Sequence, residues 1–429
     1  MIKIILPVAI FLFTVLLSSA QEIDKVINAK EVERIEQTLS SDDMQGRKPA
    51  TPGGLKAAAF IEDEFKKTGL QFLPGLNGFM QTFTITKAKF ISAEGNMNGK
   101  SLSQDNIICM TTQPSLNINE NSGYRILIAD TSNIMNQAKK IMKDETNCIV
   151  LVNDFQAANF SKLKYLRRDA FGMTYSVIFI LTDETTATNY SLNIKHDVTT
   201  TELKNVVGCI PGKSKKDEFV VFSGHYDHLG IGKSNADLDS IYNGANDDAA
   251  GTTAVIMLAN YFNKRKDNER TLIFVAFTSE ESGGFGSRYF SQHIEAEKTI
   301  AMFNIEMIGT ESKWGTNSTY ITGYEKSDFG KILQANLTGS NFHFEPDPYP
   351  QQKLFYRSDN ATLAALGVPA HTISTSKMDS EKYYHTVDDE IGTLDMNNMA
   401  EIIKAIAISS KTIVSGKDTP TRIDKVNGQ

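Results

Sequence analysis

Side chains able to hold a cation or move a proton sit where apolar runs end in this sequence. FVVFSG delivers His225 and Asp227, TLIFVAFTS delivers Glu280 and Glu281, and TIAMFNI delivers Glu306. Asn246-Asp247-Asp248 opens an amphipathic segment after a polar, glycine-containing loop, and His385 comes late, within YYHTVDD. Imidazoles and carboxylates without cysteine are the donor set that suits zinc, and two carboxylate-rich sites sharing one Asp would make a co-catalytic pair. A nucleophilic serine fits less well, because the chain lacks a G-x-S-x-G elbow. A lone HxD carries little weight. A Glu-Glu pair at a strand end, with an Asp opening a helix and a late His, carries far more.

The elements that must position these groups follow from patterning. From Asn205 onward the β-runs FVVFS, TLIFVAF, TIAMFNI and VPAHTIS alternate with helical patterns. That alternation predicts an α/β fold with a mostly parallel central sheet and helices on both faces. Ligands of such sheets bind outside the carboxyl ends of the strands, so separate segments converge on one crevice. TTAVIMLANYFNKR, with Val255, Leu258 and Phe262 inward, and MNNMAEIIKAIAISSKTIV read as helices. So do EVERIEQTLSS and LKAAAFIEDEFKKTG, which flank the loop DDMQGRKPATPGG. Arg47 in that loop is expected to tie it to a neighbouring carboxylate rather than to meet a ligand. The polar tail after Gly416 is expected to fray.

With 429 residues the chain exceeds what one core usually supports. Its β-rich stretch 83–195, holding YRILIAD, NCIVLV and YSVIFILTD, reads as an inserted smaller α/β lobe that interrupts a main domain of residues 21–82 and 196–429. Lys162, Lys164, Arg167 and Arg168 form a solvated basic face there. Residues 1–20 have a lysine near the front, an apolar core and a small-residue ending. This is the pattern of a secretory signal peptide, so the chain is expected to be secreted or periplasmic, with no membrane anchor after its removal. A net charge of −7 leaves no electrostatic footprint for nucleic acid, which points to small or peptidic partners. Cys109, Cys148 and Cys209 lie in apolar settings and read as small buried residues.

HYDHLG, NGANDDAAGTTA, FTSEESGGFGSRYF, NIEMIG and YYHTVDD resemble the successive motifs of the secreted dizinc aminopeptidases of the aminopeptidase S and aminopeptidase Y type, in a clan with glutamate carboxypeptidase and glutaminyl cyclase. DDMQGRKPATPGG and NVVGCIPGK extend the resemblance, and the inserted lobe is similar to a protease-associated domain. The resemblance implies a zinc-exopeptidase fold, two zinc ions per chain and peptide substrates. It implies His225 on one metal, Asp247 bridging both, Glu281 and His385 on the second, and Glu306 in the remaining ligand position. Glu280 would be the general base and Tyr384 a hydrogen-bond donor to the developing oxyanion. Asp227 would hold the His225 imidazole, with Asp389 doing the same near His385. The family has Asp where this chain has Glu306. A glutaminyl cyclase-type transferase and a non-catalytic peptide-binding relative are the alternative readings.

Several residues have plainer readings. Asp247 and Asp248 could cap a helix, and Glu280-Glu281 could be an acidic helix start. His228 reads as a loop histidine and His371 as a satisfied residue near the core. Ser358 and Asp359 read either as pocket residues or as helix caps. Loops 313–322 and 347–357 are expected to shape specificity, and the loop 230–244 to form a rim above the metals.

Overall fold

The computed structural model describes residues 22–129, 133–166 and 169–426. The signal-peptide reading of residues 1–20, and the expectations for Arg167 and Arg168, fall outside them. The chain divides into two compact units: Leu203–Asn427 with the residues up to Thr82, and Phe83–Glu202.

In the first unit the four apolar runs are the strands Arg270–Phe277, Lys215–His225, Thr299–Ile305 and Ala370–Ser374. They lie side by side in that order and all pair in parallel. Their continuous apolar character, rather than alternation, follows from burial on both faces. Val220, Phe222 and Phe274 face one core, shared with the helices Ala29–Leu39, Pro52–Thr68, Ala250–Arg265 and Met396–Ser409. Val221, Ile273 and Val275 face the other, with Phe290 and Leu363 from the helices Phe285–Gln292 and Asn360–Ala365. Flanking strands run antiparallel to the central four: Val206–Ile210 pairs with Leu272–Ala276, and Ser318–Ile321 with Ala370–Ser374. The fold is the expected α/β arrangement with a mostly parallel sheet.

The tail departs from expectation. Arg270, fully buried, donates to the carbonyls of Ile413 and Asp418 and to the Thr419 hydroxyl, while Ile423 is buried and its N–H donates to Gly367 O. A polar composition suggested fraying; specific anchoring to a buried guanidinium overrides it.

The second unit holds a four-stranded sheet. Ile107–Met110, Val177–Leu181, Cys148–Val152 and Arg125–Ile128 follow in that order, the last three parallel. Two apolar clusters drawn from this unit's own residues pack its faces. The three cysteines are free and buried, and burial pushes the thiols of Cys148 and Cys209 up to about 11, so they stay protonated and inert.

Candidate metal centre

The strand Lys215–His225 ends on His225, whose buried ring is fixed from one side. Its Nδ1 lies 3.1 Å from the Asp227 carbonyl, which can only accept, so Nδ1 carries the proton and Nε2 presents a lone pair. That Nε2 sits 3.2 Å from Asp247 Oδ1. Asp247 lies in the turn Ala245–Ala249 that leads into the helix Ala250–Arg265. Gly251 allows the helix start to come this close, because a Cβ there would run into Ile305 O and the Asp248 carboxylate.

Asp248 does more than cap. Its Oδ1 accepts from Gly251 N–H at 2.9 Å and from Met307 N–H at 3.0 Å, and its Oδ2 accepts from His225 N–H at 3.1 Å. One carboxylate thus ties the ends of two strands to the helix start. Asp389 differs from its expected role beside His385. Its two oxygens accept from the backbone N–H groups of Asn246 and Asp247, so it holds the turn that carries Asp247. Asp227 differs in part: its carbonyl contacts the His225 ring, while its carboxylate accepts from Glu280 N–H at 3.0 Å. Among the described residues, Arg47 has no carboxylate hydrogen-bond partner. It donates to the carbonyls of Leu39, Tyr226, Asn243, Gly244 and Asp247, locking the same turn from below.

Glu280 and Glu281 follow the strand Arg270–Phe277, and Glu306 follows Thr299–Ile305. His228, read from sequence as a loop residue, is buried against them, its Nδ1 2.8 Å from Glu281 Oε1 and 3.9 Å from Asp247 Oδ2. His385 approaches from the more exposed side, with Nε2 3.2 Å from Asp247 Oδ2 and 3.1 Å from Glu281 Oε2. Two groups of potential ligand atoms result, each within 4.8 Å: His225, Asp247 and Glu306, and His228, Asp247 and Glu281. Asp247 belongs to both. Three non-glycine residues with left-handed backbones adjoin or belong to the cluster: Ser279 at φ 65°, Met307 at φ 53° and His385 at φ 57°. Strain of this kind persists where the surroundings over-determine a site.

The donor chemistry fits zinc. Glu306 Oε2 is buried without a hydrogen-bond partner, and His225 Nε2 and His385 Nε2 each stand 3.2 Å from an Asp247 oxygen. Acceptors that face one another across about 3 Å in a buried site need a cation or a proton between them. Charge-assisted contacts show the same demand. Burial would raise the Asp247 carboxyl, yet hydrogen bonds with His225 and His385 and the nearby His228 hold it well below the usual carboxylate range. Hydrogen bonds to Asp247 and Glu281 push His385 up to about 10. Glu306 is pushed up to about 7 by burial, with the Asp247 charge adding and His225 opposing. Burial also drives the Glu280 carboxyl well up, reinforced by Glu306, Asp359 and Glu281 against His225.

These side chains open onto a cleft that includes Asp247, Glu280, Glu281, Glu306 and Tyr384. Tyr384 stacks on His385 with ring centroids 3.9 Å apart, and burial raises its hydroxyl pKa, so it remains a donor. Tyr320, Thr322, Leu354 and Arg357 come from the two loops expected to shape the pocket. Gly230–Ile231 and Ile241–Tyr242 pair as a short hairpin. Ser358 is a pocket residue and accepts from Asn304 Nδ2 at 2.7 Å. Asp359 precedes the helix Asn360–Ala365 without capping it, and burial pushes its carboxyl up to about 6. His371 is satisfied as expected, between Ser327 Oγ and Thr322 O.

Known proteins resemble both the sequence and the fold. The chain is 28% identical over 215 residues to a protein of Trichophyton verrucosum named "Probable leucine aminopeptidase", covering 47% of this chain and 54% of that one. It is 23% identical over 239 residues to "Aminopeptidase YwaD" of Bacillus subtilis, covering 52% of this chain and 47% of that one. The chain spans about half the length of these curated relatives. The solved structure of an aminopeptidase from Aneurinibacillus sp. strain AM-1 shares the fold, with a TM-score of 0.53 and 17% identity over 95% of this chain and 97% of that one. Residues 205–409, which carry every potential ligand and the whole cleft, match the family described as Peptidase family M28.

Proposed function

We propose that this chain is an exported, zinc-dependent exopeptidase, an aminopeptidase that removes N-terminal residues from peptides. The observation that carries the reading is Asp247 standing between His225 and Glu306 on one side and Glu281 and His385 on the other, with Glu280 facing the same cleft. His225, Asp247 and Glu306 would hold one zinc, and Asp247, Glu281 and His385 the other. Zinc there supplies Lewis acidity, polarising the scissile carbonyl and lowering the pKa of water.

The protein's own groups do the rest. Glu280 takes a proton from the attacking water at a carboxylate oxygen and hands it to the leaving nitrogen. Adjacent Glu281 cannot share that task, because its oxygens are engaged by His228 and His385. Asp227 fixes Glu280 through the backbone N–H contact, and the Tyr384 hydroxyl donates to the oxygen on which negative charge develops. The relatives' names and the family match support peptide hydrolysis.

Glu280→Gln is the decisive variant. It should keep zinc content and the far-ultraviolet dichroism spectrum while losing at least about a hundredfold in kcat on aminoacyl nitroanilides. Retained turnover would remove Glu280 as the base. Cyclisation of N-terminal glutamine peptides without any aminoacyl hydrolysis would replace the aminopeptidase reading with the transferase.

A further inference from the structure

The cleft holds one cation that belongs to no pair. Arg357 lines it, is exposed, and among the described residues forms no ion pair and no side-chain hydrogen bond, although Glu280, Glu281, Glu306 and Asp247 line the same cleft. Its backbone is fixed, since the N–H donates to Leu354 O at 2.9 Å in the turn Leu354–Tyr356. The next residue, Ser358, hydrogen-bonds the Glu306 carboxylate, so Arg357 adjoins a side chain that contacts one proposed metal ligand. Around it the wall is mixed: Leu354 and Met378 are apolar, while the buried hydroxyls of Ser374 and Ser376 donate to Met307 O and Met378 Sδ.

From this arrangement, and resting on the exopeptidase reading above, we infer that Arg357 recognises a carboxylate of the substrate. A guanidinium presents a planar fork that matches a carboxylate in two parallel hydrogen bonds. An apolar side chain in the same place would cover Arg357 and strip its water without returning a partner, which is unfavourable. The carboxylates beside it do not repel a substrate anion when zinc neutralises them. Two sources share this chemistry: the side chain of an N-terminal Asp or Glu, and the free C-terminal carboxylate of a very short peptide. Arg357 is a specificity residue here, remote from the proton transfer.

The test uses the full mature chain loaded with zinc and its Arg357→Gln and Arg357→Lys variants, assayed on α-glutamyl- and leucyl-nitroanilide and on Leu-Leu with a free or amidated C-terminus. If the side chain is read, wild type prefers the glutamyl over the leucyl substrate, and Arg357→Gln lowers kcat/KM roughly ten- to a hundredfold on the former, mainly through KM, with little change on the latter. If the C-terminus is read, the same pattern separates Leu-Leu from its amide. Arg357→Lys should recover part of the loss in either case. An equal loss on all four substrates, or no preference in wild type, overturns the inference while leaving aminopeptidase activity standing. Silence of the zinc-loaded wild type on every substrate overturns the exopeptidase reading and this inference with it.

Discussion

At the scale of single residues, Glu306 and the histidine pair define what is particular to this site. Glu306 reaches the His225–Asp247 group with one methylene more than the family's Asp, and its buried Oε2 accepts no hydrogen bond. Glu306→Ala should therefore lower zinc per chain after dialysis by about one ion. An unchanged zinc count would show that Glu306 is not a ligand. His228 and His385 both reach Glu281, but from a buried and a more exposed side. Nδ1 of His228 stands at hydrogen-bond distance from Glu281 yet 3.9 Å from Asp247, the geometry of a residue that orients a ligand. His385→Ala should thus lose one zinc, whereas His228→Ala should keep both with affinity weakened roughly ten- to a hundredfold, read by competition with a chelator. His225, Glu280, Glu281 and Glu306 were legible in the sequence because apolar runs end on them. His228 and Asp248 were not, since each makes its decisive contacts with residues distant in sequence: Glu281 in one case, Met307 in the other.

At the scale of elements, strand ends supply the ligands, but a buried network below them fixes the turn Ala245–Ala249. Arg47 satisfies carbonyls on both sides of the Gly230–Tyr242 hairpin, and beneath it lies Glu36, buried and accepting from Thr253 Oγ1 at 2.9 Å. The helices around Arg47 were readable from periodicity, whereas its partners were not, because backbone carbonyls leave no signature in sequence. Removing the guanidinium in Arg47→Met strands several buried acceptors and should cost about 3–5 kcal/mol, measured by urea unfolding, with faster amide exchange at Asn246 and Asp247. Glu36 adds a pH dependence. Burial pushes its carboxyl from 4.5 up to about 8, against the Thr253 hydrogen bond and the Arg47 charge. Between those values the folded state binds more protons than the unfolded one, so this contribution is fully present below 4.5 and is lost as pH rises through about 8. Glu36→Gln should flatten the decline in unfolding free energy across that window, a change on the order of 4 kcal/mol. An unaltered pH profile would mean that Glu36 ionises freely in the folded chain.

At the scale of the whole molecule, the chain divides its apolar residues among separate cores. The buried residues of the clusters behind the parallel sheet come from the amino-terminal segment up to Phe79 and from Val206 onward, while those of the second unit lie between Ala93 and Ile194. Every potential zinc ligand named above belongs to the first unit. Zinc would bind only the folded form of a site assembled from five segments, so it would stabilise that unit by mass action, by about 4 kcal/mol when free zinc exceeds the dissociation constant a thousandfold. The second unit gains nothing directly, since it contributes no ligand. Calorimetry with zinc and with chelator should then reveal an upward shift on the order of 10 °C in the transition of the first unit. A transition assigned to Phe83–Glu202, by amide exchange of the Cys148–Val152 strand, should stay where it is. If both transitions move together by the same amount, the two units unfold as one cooperative body despite their separate cores, and the stability supplied at Asp247 reaches residues that no ligand touches.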